Sequence, residues 1–354
     1  MDVQIARRGA VARCWIVLLA ASLWSSSLCA RVAARFTVTD LGPFMAREVD
    51  ERPGLSRSAH IASWQVVEQT HVVAALLSGG AEPQLVAEMP PTANGFAFGI
   101  NDTDWAVGIF ESRQDLRFTQ AFSYRGGSVH ILPSLGGASA AARAVNGHWL
   151  VVGNAETGGA GRHEVHAVTW TNDEVHDLGT LRSGNFSRAF AVTESGVIAG
   201  EANESPDGKV RAVLWSHGRI KPLGLLPQGS FSSAQAVNEQ GMAVGYADDE
   251  DGGARAVLFS HGRITDLGSF GDEPNSALGI NDKGQIVGSS PIAEGKMRGF
   301  LWESGHLYDL NQLLPMNSGW LLLVAYRINT MGQILAYGFY AGRTHLCLLT
   351  PVRS

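Results

Sequence analysis

The sequence predicts an all-β chain, a seven-bladed β-propeller of four-stranded blades, on three observations. A unit of short strands and tight turns recurs along almost the whole chain. Its period fits a propeller blade: Asn101 and Asn329 are 228 residues apart in five steps, about 46 per step, far above a leucine-rich repeat. The strand missing from the last copy is present near the other end of the chain.

Ser233 to Gly268 is the clearest copy. Its expected strands are an inner strand from Ala234 to Val237, a second from Met242 to Tyr246, a third from Ala254 to Phe259 and an outer one from Ile264 to Leu267. Asn238 opens the first turn and Gly241 ends it, which suits a type I turn, because the Asn side chain bonds the backbone ahead. Ser260 to Gly262 forms a short second hairpin turn.

Copies agree in spacing more than in letters. A turn-opening residue precedes a small one by seven positions: Asn101 and Gly108, Asn146 and Gly153, Thr193 and Gly200, Asn238 and Gly245, Asn281 and Gly288, Asn329 and Ala336. A small residue in the third strand precedes a leucine by eleven: Ala74 and Leu85, Ala121 and Leu132, Ala167 and Leu178, Ala212 and Leu223, Ala256 and Leu267, Gly299 and Leu310. Inner strands carry small residues at alternate positions, which lie on one face of a strand and suit the crowded centre of a ring. The connections from second to third strand vary in length, as binding loops do on one face of a repeat protein.

The expected boundaries are a closing strand at 36–42 and blades near 57–87, 96–135, 141–181, 188–226, 233–270, 276–313 and 324–350. The first unit is degenerate. Ala59 to Ile61, Gln65 to Val67 and Ala74 to Leu77 fit its strands, and its first turn lacks Asn and Gly. Val38-Thr39-Asp40-Leu41-Gly42 nearly repeats Ile264-Thr265-Asp266-Leu267-Gly268, so a terminal strand is expected to complete the last blade and leave no open edge. Six or eight blades, or an open β-solenoid, are the alternatives.

The pattern Ala-x-Ala-Val-Asn-x-x-Gly-x-x-Val-Gly, with His166-Ala167-Val168-Thr169-Trp170 and Asp177-Leu178-Gly179-Thr180-Leu181, resembles the HAF-repeat family of predicted extracellular bacterial proteins. The His-Ala-Phe triplet of that family survives as His166-Ala167-Val168, Gln120-Ala121-Phe122 and Arg298-Gly299-Phe300. The resemblance covers roughly residues 36 to 350. It implies export and a repeat scaffold, and it carries no activity to transfer.

Residues 1–30 read as a secretory signal: Arg7, Arg8 and Arg13, a short apolar stretch from Trp15 to Leu23, and small residues up to Ala30. The remainder, 31–354, is then a single propeller domain with 24 basic and 32 acidic side chains, a net charge of −8. That balance argues against nucleic acid or anionic membrane partners. No membrane span remains after cleavage, and a secreted or periplasmic monomer is expected. Only Cys347 lies beyond the signal region, and it reads as a small core residue.

Motifs for catalysis are absent: there is no nucleophile elbow, P-loop, dinucleotide fingerprint or HExxH. Phe98, Arg143, Phe190, Gln235, Leu278 and Tyr326 occupy the middle of six inner strands. Either they line an axial pocket of mixed aromatic and polar character, which suits a ligand, or they pack between neighbouring blades. Asp248, Asp249 and Asp251 offer hard oxygen ligands suited to calcium, and the other reading is a solvated hairpin tip. His163 and His166 fall on opposite faces of a strand, poor geometry for one metal. No cofactor is required. The function expected is a binding scaffold that recognises a glycan, protein or envelope component through loops on one face. The alternative is an extracellular hydrolase or lyase at the mouth of the central channel.

Overall fold

The computed structural model describes residues 34–352 apart from 47–50, 69–70, 78–82, 87–89, 91, 116–117, 160–163, 173, 272–273 and 293–294. The signal segment expected over residues 1–30 and His163 lie outside the described residues. Seven four-stranded antiparallel sheets form a seven-bladed β-propeller. The blades span Gly54 to Leu85, Ala93 to Ile131, Gly136 to Asp177, Ser187 to Gly224, Ser232 to Asp266, Ser276 to Asp309, and Leu321 to Pro351. The seventh takes its outer strand, Phe36–Pro43, from the N-terminal side of the chain. That strand pairs antiparallel with Arg343–Pro351, in register from Phe36 opposite Pro351 to Asp40 opposite Cys347.

In six blades the inner strand breaks register at one repeated position. The shifts fall between Ala97 and Gly99, Ala142 and Ala144, Ala189 and Ala191, Ala234 and Ala236, Ala277 and Gly279, and Ala325 and Arg327. The residue inside each bulge is Phe98, Arg143, Phe190, Gln235, Leu278 or Tyr326. A bulge bends the strand and re-aims its extra side chain.

The bulge also explains the glycine seven positions after each turn opener. A Cβ on Gly108, Gly153, Gly200, Gly245 or Gly288 would run into the inner-strand carbonyl oxygen of Phe96, Ala141, Arg188, Ser233 or Ser276. Inner strands of adjacent blades also approach closely: a Cβ on Gly99 would lie 2.8 Å from the Cα of Ala144. Small residues beside the bulge therefore follow from crowding at the axis.

The first blade differs from expectation. Its inner strand is Gly54–Leu55 and its second strand is Ile61–Glu68, so Ala59 belongs to the turn, with a left-handed φ of 65°. Ser56 does there what Asn does elsewhere: its hydroxyl accepts from the backbone N–H of Ser58 and His60. The seven-residue spacing holds from Ser56 to Ser63.

The leucine rule has an electrostatic companion. The Asp ahead of that leucine faces a basic side chain in the third strand: Asp177 Oδ2 is 2.8 Å from His166 Nδ1, Asp40 Oδ1 is 2.8 Å from His345 Nδ1, and Asp309 is 3.8 Å from Arg298. The degenerate His-Ala-Phe position thus supplies a cross-strand partner for the outer strand. Third-strand tryptophans clamp neighbours: Trp170 Nε1 donates to Pro133 O at 2.8 Å and Trp215 Nε1 to Leu178 O at 3.1 Å.

Replacing Gly245 by Ala should destabilise the fold by roughly 1–3 kcal/mol, the cost of forcing extra volume into a packed site. Ala336→Gly should cost less, because the last blade already accepts a Cβ there. Thermal melts of both variants check this, and a Gly245→Ala protein as stable as the parent would refute the close-approach argument.

Candidate functional site

The axial channel is layered, and each layer is one repeat position. The turn openers Ser56, Asn101, Asn146, Thr193, Asn238, Asn281 and Asn329, and the residues after all of them but Asn146, ring the mouth on the turn face, around a cavity of about 180 Å³. The asparagine side chains bond the next blade. Asn101 Nδ2 donates to Asn146 O at 3.0 Å, Asn146 to Thr193 O at 2.9 Å, Asn238 to Asn281 O at 3.1 Å, Asn281 to Asn329 O at 3.1 Å and Asn329 to Ser56 O at 3.3 Å. Carboxylates complete the other two joints. Asp102 accepts from Ser58 N at 2.8 Å, and Glu239 accepts from Glu194 N at 2.7 Å. A hydrogen-bonded belt therefore circles all seven blades.

The mouth also gathers the acidic side chains Asp102, Glu194, Glu239 and Asp282, with Arg57 3.5 Å from Glu194 and 3.4 Å from Glu239. Glu194 accepts from Gly147 N at 2.8 Å and Asp282 from Glu239 N at 3.0 Å. Partial burial raises the pKa of Asp102 and Glu239. It is outweighed for Asp102 by hydrogen bonds from Ser58 and Ser56, for Glu239 by those from Glu194 and Ser195, and for both by the Arg57 charge, so both lie below the ordinary carboxylate range. A hydrolytic pair needs one carboxyl kept protonated near neutral pH. Asp102 and Glu239 are held in the opposite state.

Below the mouth, Leu55, Ile100, Val145, Val192, Val237, Ile280 and Ile328 form an apolar collar shared with a second cavity of about 190 Å³. Phe98, Arg143, Phe190 and Gln235 line that cavity, so four of the six mid-strand residues face the axis. Leu278 and Tyr326 instead join Phe98 in an apolar cluster with Phe44 and Trp64. Arg143 sits 5.0 Å from the Phe98 ring centroid, a cation–π distance. Gln235 is fully buried, donates to Ser233 Oγ at 2.7 Å and accepts from Arg52. Burial, and then the neighbouring Tyr337, push the Tyr326 phenol up, so it stays neutral.

Arg327 lines the same cavity, and sequence reasoning did not single it out as a site residue. It occupies the position that is Gly99, Ala144, Ala191, Ala236 or Gly279 in other blades, and that exception was its signal. It donates to Leu278 O at 3.2 Å, and burial followed by the Arg52 charge pulls its guanidinium down to about 9.

The opposite face carries the loops between second and third strands. There, between the last and first blades, lies a larger cavity of about 680 Å³. Phe44 and Trp64, 4.9 Å apart between ring centroids, form its floor, and Phe339, Val66 and Met45 are exposed at its walls. Gln65, Arg343 and Thr344 supply polar groups. Its residues come from both chain ends, so repeat spacing gave no sign of it.

The acidic run on this face is turned to its own loops. Asp248 accepts from Ser230 N and Phe231 N, both at 2.7 Å, and Asp249 pairs with Arg255 at 2.8 Å and accepts from Gly253 N at 2.9 Å. Asp251 is exposed. Among the described residues, no group of three or more His, Cys, Asp or Glu side chains is placed to hold a metal ion. No helix of the described residues is long and apolar enough to cross a membrane.

No protein-family model matches the sequence, and no curated protein matches it. The fold does have solved counterparts. The β-propeller domain of the Trilobed protease from Pyrococcus furiosus, described as having an open velcro topology, is similar with a TM-score of 0.52 at 9% identity, over 90% of this chain and 98% of that one. The acylaminoacyl peptidase of Pyrococcus horikoshii is similar with a TM-score of 0.50 at 10% identity, over 86% of this chain and 52% of that one, so this chain spans about half its length. TolB from Acinetobacter baumannii aligns with a TM-score of 0.48 at 13% identity, over 84% of this chain and 65% of that one. At such identities the likeness is one of fold alone.

Glu239 makes the belt sensitive to acid. Its pKa is depressed in the folded state, so its contribution is present above the unfolded value, near the ordinary 4.5, and is lost as pH falls through the lower folded value. Glu239→Gln should lower the melting temperature at pH 7 and flatten its fall between about pH 5 and pH 3. Melting curves across that range check it, and parallel profiles for variant and parent would remove Glu239 from the belt.

Proposed function

We propose that this chain is a secreted or periplasmic binding scaffold whose ligand sits on the loop face, in the groove between the last and first blades. The observation that carries the reading is the groove itself. Its volume of about 680 Å³ falls in the range of ligand pockets, roughly 300–1,000 Å³, and it joins an aromatic floor to a few polar groups at the rim. Exposed Phe339, Val66 and Met45 are apolar side chains left in water beside that floor. Arg343 and Gln65 supply donors that orient a polar partner. The signal-like segment at 1–30 and the resemblance to extracellular repeat proteins support an extracytoplasmic setting. A glycan or an envelope component with one apolar face fits this texture.

The hydrolase reading lacks support from the channel. Asp102 and Glu239 at its mouth accept backbone N–H bonds from adjacent turns and are held ionised, and the cavity beneath is lined by arginine, glutamine and aromatic side chains.

Phe339→Ala and Arg343→Ala should each weaken binding to an array of envelope glycans by about tenfold, the order expected for truncating an anchor residue, while leaving the melting temperature within a few degrees. Glycan-array titration of the mature chain and both variants checks this. A parent chain that binds nothing on the array, or variants that bind as well as the parent, would reject the groove.

A further inference from the structure

On the turn face, away from the groove, one blade departs from the turn chemistry of the rest. The fourth residue of every inner turn is left-handed. It is glycine in four blades, Gly196, Gly241, Gly284 and Gly332, and Ala59 or Asp104 in two others. In the third blade it is Trp149, with φ 67°. A bulky residue there carries a backbone cost of about 1–2 kcal/mol. Packing does not explain the choice, because Trp149 is 56% exposed. A strained position occupied by a large exposed aromatic points to function.

Trp149 does not stand alone. Its ring lies 5.7 Å from that of Trp105 on the neighbouring blade, tilted by 59°. The Arg125 guanidinium covers Trp105 at 4.8 Å. Thr103, Trp105, Arg125 and Trp149 enclose a cavity of about 180 Å³. The Thr103 hydroxyl donates to Asn101 Oδ1 at 2.9 Å, so its lone pairs remain to accept. Trp105 is 7% exposed, and its indole N–H meets no acceptor among the described residues.

We infer that this cleft is a saccharide-binding site, independent of the loop-face groove. One sugar ring lays its C–H face on the open Trp149 indole, while hydroxyls bond Arg125 and Thr103. The chemistry favours a sugar over a peptide for two reasons. The cavity is smaller than the roughly 300 Å³ at which drug-sized pockets begin, and its exposed apolar surface is one flat indole, that of Trp149, because Trp105 is buried. Trp supplies rigid amphipathic contact area at little entropic cost, and the arginine and hydroxyl add direction.

The test uses Trp149→Gly in the full mature chain, because it restores the residue that four other blades use at this turn. Hexoses, N-acetylhexosamines, deoxyhexoses and uronic acids are titrated singly, following tryptophan fluorescence and saturation-transfer NMR. The parent should bind at least one class. Trp149→Gly should weaken that binding by about tenfold or more while keeping or raising the melting temperature, and Trp149→Phe should retain part of the affinity. Three results would overturn the proposal: no saccharide bound by the parent, equal binding by Trp149→Gly, or a melting temperature that falls sharply in Trp149→Gly, which would make Trp149 a packing residue. Binding lost on Phe339→Ala but kept on Trp149→Gly would assign the sugar to the groove instead.

Discussion

Closure of the last blade is the interaction on which the ring depends. Arg343–Pro351 would be a bare edge, a row of unpaired N–H and C=O groups, without Phe36–Pro43 beside it. With that strand in place, the last sheet has its four strands and seven inner strands meet around one axis. Crowding there dictates the remaining pattern. Bulges give the inner strands their bend, small residues flank each bulge, and glycines in the second strands make room for inner-strand carbonyls. The turn residues, brought close by the same geometry, bond from blade to blade in a continuous belt.

The belt and the layers beneath it set what the channel does. Polar groups at the mouth are committed to neighbours, and Asp102 and Glu239, held below the ordinary carboxylate range, are poor proton donors. The collar below is apolar, and the bulge layer places guanidinium and aromatic groups toward the axis. The two surfaces proposed above for ligands lie off the axis: the aromatic groove at the closing seam and the tryptophan cleft on the turn face. Both lie where the repeat is interrupted, the first by the junction of chain ends and the second by a tryptophan in a glycine position.

Much of this fold was legible in the spacing of turn residues. Asn238 and Gly245 mark a turn and a close approach that recur in other copies, and Val38 to Gly42 announced the closing strand by its likeness to Ile264 to Gly268. The first blade was misplaced because Ser56 replaces Asn, although the spacing to Ser63 was kept. The bulges were not legible, since alternation predicts which residues share a face but not where a ladder slips; only the structure shows that Arg143 and Gln235 are bulge residues aimed at the axis. The groove was hidden for a different reason. Phe44, Trp64 and Phe339 are far apart in sequence and belong to no repeat rule.

The closed ring can be tested with the chain's own chemistry. Asp40 and Cys347 are directly paired across the closing strands, and Cys347 is buried with no disulfide. Cα separations of such antiparallel pairs, about 4.5–5.5 Å, allow a disulfide. The Asp40→Cys variant, oxidised at low protein concentration, should form an intramolecular disulfide between the introduced thiol and Cys347, seen by peptide mapping, and should raise the melting temperature. A chain that stays reduced, or cross-links only between molecules, would contradict closure by the N-terminal strand.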